Sequence, residues 1–552
     1  MVKRVHPILK ISPRVMIVDN DNRTRESLYE LLSHWGYSVI VAEGEGEALL
    51  VDAQKKAHEY RCQAAIVDMR LIDDSDPDDK SGLDLVEKLK PTISLVMSGY
   101  GDEQIASESL EEKGAVSFIG KQWSPEILKQ KLERALFSIS ANKKNLIIEP
   151  FQAIEDAVQI LFKDIKTEHR DQLCDVFARL FPSAQRLRIE KLGKEDDISD
   201  FSTAPRPTSV VLKVYEELAN EELQPVLVKL ARAEKIEKEV SAYKNFVWRR
   251  LIGLYNANME DSAVLWDIGG AIYSYFGNLN VTPFYRYAKV ENLDNIRTCL
   301  KNFFGSTWSR HYHSAKEKSN VSLFEIYRDV WGNKWYERAS KFTDFDPAKI
   351  MGRELWKKAR APQPVDWLMR KVANNKLADA SRIEKLSIAV THGDLHGDNL
   401  LVDENHNAWV IDFERCGEGH ILQDFIELEA DIINRVKAEK DGNSFFQLCI
   451  AVTTPKEIKS VFVNNPRSID PEIRKSLDII AIIRNLAHET SSRSSAREYL
   501  LGLLFNAIFR ATITPEKPLT GNQKRALMLA SIICHRLDHW DEPWPPEEWR
   551  DL

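Results

Sequence analysis

Residues 389–414, AVTHGDLHGDNLLVDENHNAWVIDFE, concentrate the side chains best suited to chemistry. A short apolar strand leads into a polar loop holding His392, Asp394, His396 and Asn399. A strand over 399–402, a turn over 403–407 and a further strand then deliver Asp412. That layout sets the five residues at adjacent strand ends, close enough to converge on one point. Such convergence suits phosphoryl transfer, in which a protein contributes mainly positioning and electrostatics. One carboxylate accepts the proton of an attacking hydroxyl, and oxygen ligands hold Mg²⁺ on nucleotide phosphates. Asp394 fits the first role, and Asn399 and Asp412 fit the second.

A second set of reactive side chains lies nearer the N-terminus, where Asp19, Asn20, Asp68, Ser98 and Lys121 each close an apolar run. Strands over 14–18, 38–42, 64–67, 94–97 and 117–119 alternate with amphipathic helices. The pattern predicts an α/β doubly wound, five-stranded parallel sheet with its site at the carboxyl ends of the strands. One carboxylate there can act as nucleophile and its acidic neighbours can hold Mg²⁺. A hydroxyl and an ammonium can stabilise the transferring phosphoryl oxygens.

This second set, read through VMIVDND, IVDMRL, VMSGY and FIGK, resembles the response-regulator receiver domain. The resemblance implies Asp68 as phosphoacceptor, Ser98 as switch hydroxyl, Lys121 as the phosphoryl-contacting lysine and Phe118 as the switch aromatic. Asp19, Asn20 and Asp68 become the metal set. Three departures stand out: Asn20 replaces the family's second acid, Gln122 replaces the proline after the lysine, and the segment between Asp68 and Gly82, with its DDSDPDD, is longer than usual. That segment reads as a solvated acidic loop or as a lid beside Asp68.

The first set, HGDLHGDN followed by VIDFE, resembles the aminoglycoside phosphotransferase and choline kinase branch of the protein-kinase-like fold. The resemblance implies an α+β two-lobed domain with a largely helical C-lobe, using ATP and Mg²⁺. Lys229 on a strand and Glu239 on the following helix would hold the nucleotide phosphates, and Asp424 would buttress the catalytic loop. The departure is in the phosphate loop over 192–209, LGKEDDISDFSTAPRPTS, which has Gly193 as its only glycine and carries Glu195, Asp196, Asp197 and Asp200. Such a loop repels ATP unless it folds away or a metal offsets it.

The implied organisation is a receiver over 12–137, a linker and helical connector over 138–182, a kinase-like N-lobe over 183–275 and a helical C-lobe over 276–552. Boundaries follow from the pattern break at SISANKKNLIIEP. Gly269 and Gly270 read as a bulge or turn beside the adenine. A net charge of -8 argues against nucleic acid as the main partner. No apolar run is long enough to span a bilayer. The six scattered cysteines, without a CxxC, fit a reducing cytoplasm. The combination implies an upstream sensor histidine kinase as partner, with signalling through release, re-aiming or a homodimer formed by the receiver. Two outputs remain open: transfer of the ATP γ-phosphate to a hydroxyl on a substrate that the sequence does not name, or a scaffold that binds a protein partner or nucleotide without turnover.

Overall fold

A computed structural model describes residues 13–60, 62–73, 75–76, 78–90, 92–98, 115–120, 124–162, 165, 167–191, 209–219, 221–248, 250–251, 258–274, 281–342, 345–374, 379–436, 442–459, 470–513 and 519–549. The phosphate-loop glycine and acids, Lys121 and Gln122 lie outside these residues. The chain divides into two compact units. The first takes Met1–Glu190, Thr208–Glu234 and Asp261–Ile272; the second takes Lys191–Pro207, Lys235–Glu260 and Tyr273–Leu552.

The first unit opens with strands β1 (Arg14–Val18), β2 (Ser38–Val41), β3 (Ala64–Asp68), β4 (Ile93–Ser98) and β5 (Ser117–Gly120), ordered β2-β1-β3-β4-β5. All neighbours run parallel. Runs such as AAIVD are buried along their whole length because helices cover both faces. Successive side chains of β1 therefore serve two cores: Val15 and Ile17 join Leu28, Leu32 and Leu128 on one face, while Met16 and Val18 join Leu49, Ala53 and Val67 on the other. Helices α1 (Asn22–His34), α2 (Glu47–Tyr60), α3 (Ser81–Lys88) and α4 (Pro125–Asn145) complete this layer. Asp21 caps α1 by accepting the Thr24 N–H at 3.0 Å.

Gly82, in the first turn of α3, meets the end of β3 so closely that a Cβ there would lie 1.9 Å from the Asp68 carbonyl oxygen. Gly82→Ala is expected to lower the stability of this layer by about 1–3 kcal/mol, because backbone must move to admit one methyl group. Denaturant unfolding followed by the receiver's own signal checks this; an unchanged midpoint would mean that α3 is free to shift.

The sequence pattern placed a linker over 138–150, but α4 runs unbroken to Asn145. A short strand β6 (Ile147–Glu149) follows at once and adds to the edge of the next sheet, parallel to β7 (Arg186–Lys191). Helices α5 (Gln152–Leu161) and α6 (Thr167–Leu180) form the expected helical pair. With β8 (Ser209–Glu217), β9 (Val226–Arg232), β10 (Met259–Leu265) and β11 (Ile268–Ser274) the sheet has six strands, ordered β10-β11-β9-β8-β7-β6. Its core packs Ile154, Val158, Val176 and Phe177 of the helix pair on Leu212, Val228 and Leu230. Gly269 and Gly270 do not form the turn; the β10–β11 turn is Trp266 and Asp267. Gly270 lies inside β11, where a Cβ would meet Val176 and Leu180 of α6 at 2.9 Å, so it is small to let the helix pack.

After β9 the chain enters helix α7 (Ala233–Ala242), which carries Glu239 into the second unit. Among its described residues that unit holds two three-stranded sheets. One is β12 (Thr282–Pro283), β15 (Leu400–Val402) and β16 (Ala408–Val410); the other is β13 (Lys316–Ser322), β14 (Arg382–Thr391) and β17 (Gly417–His420). Helix α16 (Gln423–Arg435), numbered along the described helices, is almost wholly buried. Around it lie the long helices α18 (Pro471–Ser491), α19 (Ala496–Thr512) and α20 (Gly521–Asp538). Arg484 of α18 donates to both oxygens of Glu429 of α16, at 2.9 and 2.6 Å, and Tyr499 of α19 donates to the same carboxylate at 2.8 Å. A charge pair this deeply buried is tolerable only because every polar atom in it finds a partner. No described helix is long and apolar enough to cross a membrane.

Candidate functional site

In the first unit the reactive residues sit where parallel strands end. Asp19 follows β1, Asp68 ends β3 and Ser98 ends β4, and all three are buried. Asp19 Oδ1 accepts the Asp21 N–H at 2.8 Å, which fixes the loop leaving β1. Asn20 keeps a buried Oδ1 without a hydrogen-bond partner. A buried amide oxygen left unpaired is costly unless something binds it, and an oxygen-only set of Asp19, Asn20 and Asp68 is the donor chemistry that Mg²⁺ prefers. Phe118, on β5, is half-buried against Met69, Leu83, Val86 and Val96. The acidic segment after Asp68 is ordered by its own side chains: Asp79 accepts the N–H groups of Ile72 and Asp73 at 3.0 and 2.9 Å.

In the second unit β14 delivers the loop 392–399 and the β15–β16 hairpin delivers 411–413. The loop is held from beneath by one helix. Asp424 accepts the His392 and Gly393 N–H groups at 2.9 and 3.0 Å, Glu427 accepts that of Leu395 at 2.8 Å, and Asp431 that of Gly397 at 2.9 Å. The three carboxylates occupy positions i, i+3 and i+7 of α16, so they share one face and form a ladder under four backbone donors. Gly393 has φ +76°, and a Cβ there would lie 2.3 Å from the Arg415 carbonyl oxygen; the loop needs glycine at that point.

Asp394 is the loop's outward-facing acid, its side chain 32 % exposed and 3.3 Å from the Arg415 guanidinium. Burial pushes its carboxyl up, but Arg415 and His396 outweigh burial and hold it below the ordinary value. Asn399 donates from Nδ2 to the Asp394 carbonyl at 2.9 Å and accepts the Ile411 N–H on its own carbonyl at 3.0 Å, tying the loop to the Asp412 strand. His392, fully buried, is bonded through Nε2 to the Ile411 carbonyl at 3.1 Å; burial holds its imidazole below the ordinary value. Its neutral ring is therefore a structural brace.

Asp412 has φ +72°, an uncommon conformation for a residue with a side chain, and the turn it makes seats Phe413 in the core beside His392 and Trp308. The Phe413 N–H is donated to Glu239 Oε1 at 3.2 Å, and Tyr273 also donates to Glu239. The Asn399 hydrogen bonds and the 411–413 turn thus bring Asp394, Asn399 and Asp412 to one locus. Glu239 is joined to it through Phe413. Lys229, buried on β9, belongs to the first unit. Among the described residues no group of three or more His, Cys, Asp or Glu is placed to hold a metal alone.

Sequence reasoning missed Glu427, Asp431, Arg415 and Tyr273. The first two were detectable: D-x-x-E-x-x-x-D in an otherwise apolar helix is a buried polar face that must find donors.

Residues 15–133 match the model of the response regulator receiver domain, and residues 353–509 match that of the ternary complex associated domain 9. A cyclic di-GMP phosphodiesterase of Thermotoga maritima is 31 % identical over 126 residues, which are 22 % of this chain and 30 % of that protein. The chain thus spans less than a third of that relative's length. Among solved structures, the chemotaxis protein CheY4 of Vibrio cholerae shares 24 % identity over 23 % of this chain and 99 % of its own, with a TM-score of 0.19. A response regulator receiver protein from Pseudoalteromonas atlantica shares 20 % identity over 22 % and 97 %, with a TM-score of 0.20. None of these matches is to a phosphotransferase. Residues 15–133 are a response regulator receiver domain, the kind of module that two-component signalling uses, and further domains follow it in the same chain.

Proposed function

We propose that a sensor histidine kinase phosphorylates Asp68, with Asp19, Asn20 and Asp68 holding Mg²⁺ and Ser98, Lys121 and Phe118 reading the phosphoryl group, and that this controls a kinase-like phosphotransferase formed by residues 183–552. The observation that carries the second half is the braced loop: Asp394, Asn399 and Asp412 meet at one point, and Phe413 ties that point to Glu239. In this reading Asp394 takes the proton of an acceptor hydroxyl as its oxygen bonds to the γ-phosphorus of ATP. The bond from that phosphorus to the bridging oxygen breaks, and ADP leaves. Asn399 and Asp412 hold Mg²⁺, which offsets the phosphate charge. Glu239, joined to that point through Phe413, acts on the phosphate side, and Arg415, beside Asp394, steadies the transferring group.

The test is calorimetry of Mg²⁺-ATP binding to the full chain and to Asp412→Ala, with and without beryllofluoride as the mimic of phosphorylated Asp68. Binding that disappears in the variant and changes with the mimic is the expected result. Absence of binding in every state would overturn the nucleotide site.

The match to a ternary complex associated domain over 353–509 favours a second reading, in which the same braced loop is a docking surface within an assembly and turns nothing over. Loss of ATP to ADP in the presence of acceptor hydroxyls supports the first reading, and Mg²⁺-ATP binding without ADP release, or no binding at all, supports the second.

A further inference from the structure

We propose that Trp266 is the relay residue of this protein, passing the state of Asp68 through the β10–β11 turn and helix α7 to the Asp412–Phe413 segment. The inference rests on the reading that the receiver controls the output region, and it holds whether that region transfers phosphate or binds a partner.

Trp266 is a poor choice for the turn itself. It has φ +52° in a two-residue hairpin turn, where Asn, Asp or Gly avoid the steric cost of the left-handed conformation. What it does instead is pack on the receiver. Its ring lies against the apolar cluster that contains Leu49, Leu50, Ala53 and Ala57, and edge-on to His58 with ring centroids 6.1 Å apart. The same cluster includes Val18 and Val67, the residues preceding Asp19 and Asp68. Rearrangement at the phosphorylation site is therefore felt by a close-packed core of which Trp266 is the outer wall.

From the turn the path continues in backbone. The Asp267 carbonyl accepts the N–H of Ala233 at 3.0 Å, and Ala233 is the first residue of α7. The helix is a stiff element that carries Glu239 about one and two-thirds turns further on, and Glu239 accepts the Phe413 N–H beside Asp412. Each non-covalent contact lies inside one compact unit, and the helix is the covalent link between them. A spatial path is not yet a coupling, so the experiment must measure transmission.

The measurement is hydrogen–deuterium exchange on the full chain, with Mg²⁺ alone and with Mg²⁺ and beryllofluoride. In the natural sequence beryllofluoride is expected to change exchange rates around Asp68, in α7 and at Phe413, by about fivefold or more at the distant sites. In Trp266→Ala the change around Asp68 persists and the change in α7 and at Phe413 is lost. Ala233→Pro removes only the N–H given to Asp267, at a helix position where proline fits, and is expected to give the same loss. Trp266→Phe restores part of the transmission. If the first variant does not fold, the second decides. Transmission that survives both substitutions, or a natural chain in which beryllofluoride changes nothing beyond the receiver, overturns the relay. Failure to bind Mg²⁺-ATP with the exchange response intact would overturn the phosphotransferase reading and leave the relay standing.

Discussion

Asp424→Ala is expected to destabilise the second unit by about 3 kcal/mol or more and, on the phosphotransferase reading, to abolish Mg²⁺-ATP binding with it. The carboxylate accepts three buried donors, the N–H groups of His392 and Gly393 and the Tyr312 hydroxyl at 2.8 Å. Alanine leaves all three unpaired away from water, and each orphaned donor costs about 1–3 kcal/mol. The functional loss follows from geometry. The loop would no longer be pinned where Asp394 and Asn399 meet Asp412, and small displacements of catalytic groups are expensive. Asp424→Asn keeps one acceptor oxygen, so its cost should fall between that of the natural residue and alanine. Urea unfolding of the three proteins, with Mg²⁺-ATP titrations on each, gives the ordering. An alanine variant within about 0.5 kcal/mol of the natural chain, where ordinary surface substitutions lie, would show that the loop stands without its brace.

The parts of this molecule that the sequence revealed are those whose pattern and chemistry coincide. Alternating apolar runs ending in Asp19, Asp68 and Ser98 specify a parallel sheet and its site together, and residues 392–413 announce both a hairpin and a charge cluster. What escaped were features set by packing between distant segments. The break in periodicity after Leu136 looked like a linker, yet α4 continues to Asn145, because the pattern of one helix does not reveal a partner that stabilises its next turns. Gly270 looked like a turn signal because glycine marks turns and close approaches alike; only the position of Val176 and Leu180 distinguishes them. Arg415 beside Asp394 was unreadable for the same reason, since an arginine three residues past an aspartate is most often solvated.

Glu427→Gln is expected to remove a fall in stability that the natural chain shows between about pH 4.5 and pH 7. Burial, and then the charges of Asp394 and Asp424, push the Glu427 carboxyl from its ordinary 4.5 up to about 7. Between those values the folded chain holds a proton that the unfolded chain has released. Its contribution is therefore complete below about pH 4.5, declines as the pH rises, and is gone above about pH 7. A shift of this size corresponds to about 3 kcal/mol. The proton has a place to go: Gln423 has a buried amide oxygen without a partner, and a half-turn of that amide presents it to Glu427. Glutamine at 427 keeps an oxygen for the Leu395 N–H but carries no charge, so its stability should be flat across the window. Asp431 contributes with the opposite sign and elsewhere. Burial raises its carboxyl, but Arg435 and Arg510 hold it far below the ordinary range, and the stability it adds is lost only in strong acid. The same titration bears on function, because an ionised Glu427 places a second negative charge behind Asp394, on the side where the proposed reading brings phosphate. On the phosphotransferase reading, Mg²⁺-ATP binding by the natural chain should therefore be tighter at pH 6 than at pH 8, and Glu427→Gln should bind equally at both. Parallel pH profiles for the two proteins, in unfolding and in binding, would mean that Glu427 is ionised throughout and that the α16 ladder is a fixed scaffold without a titrating rung.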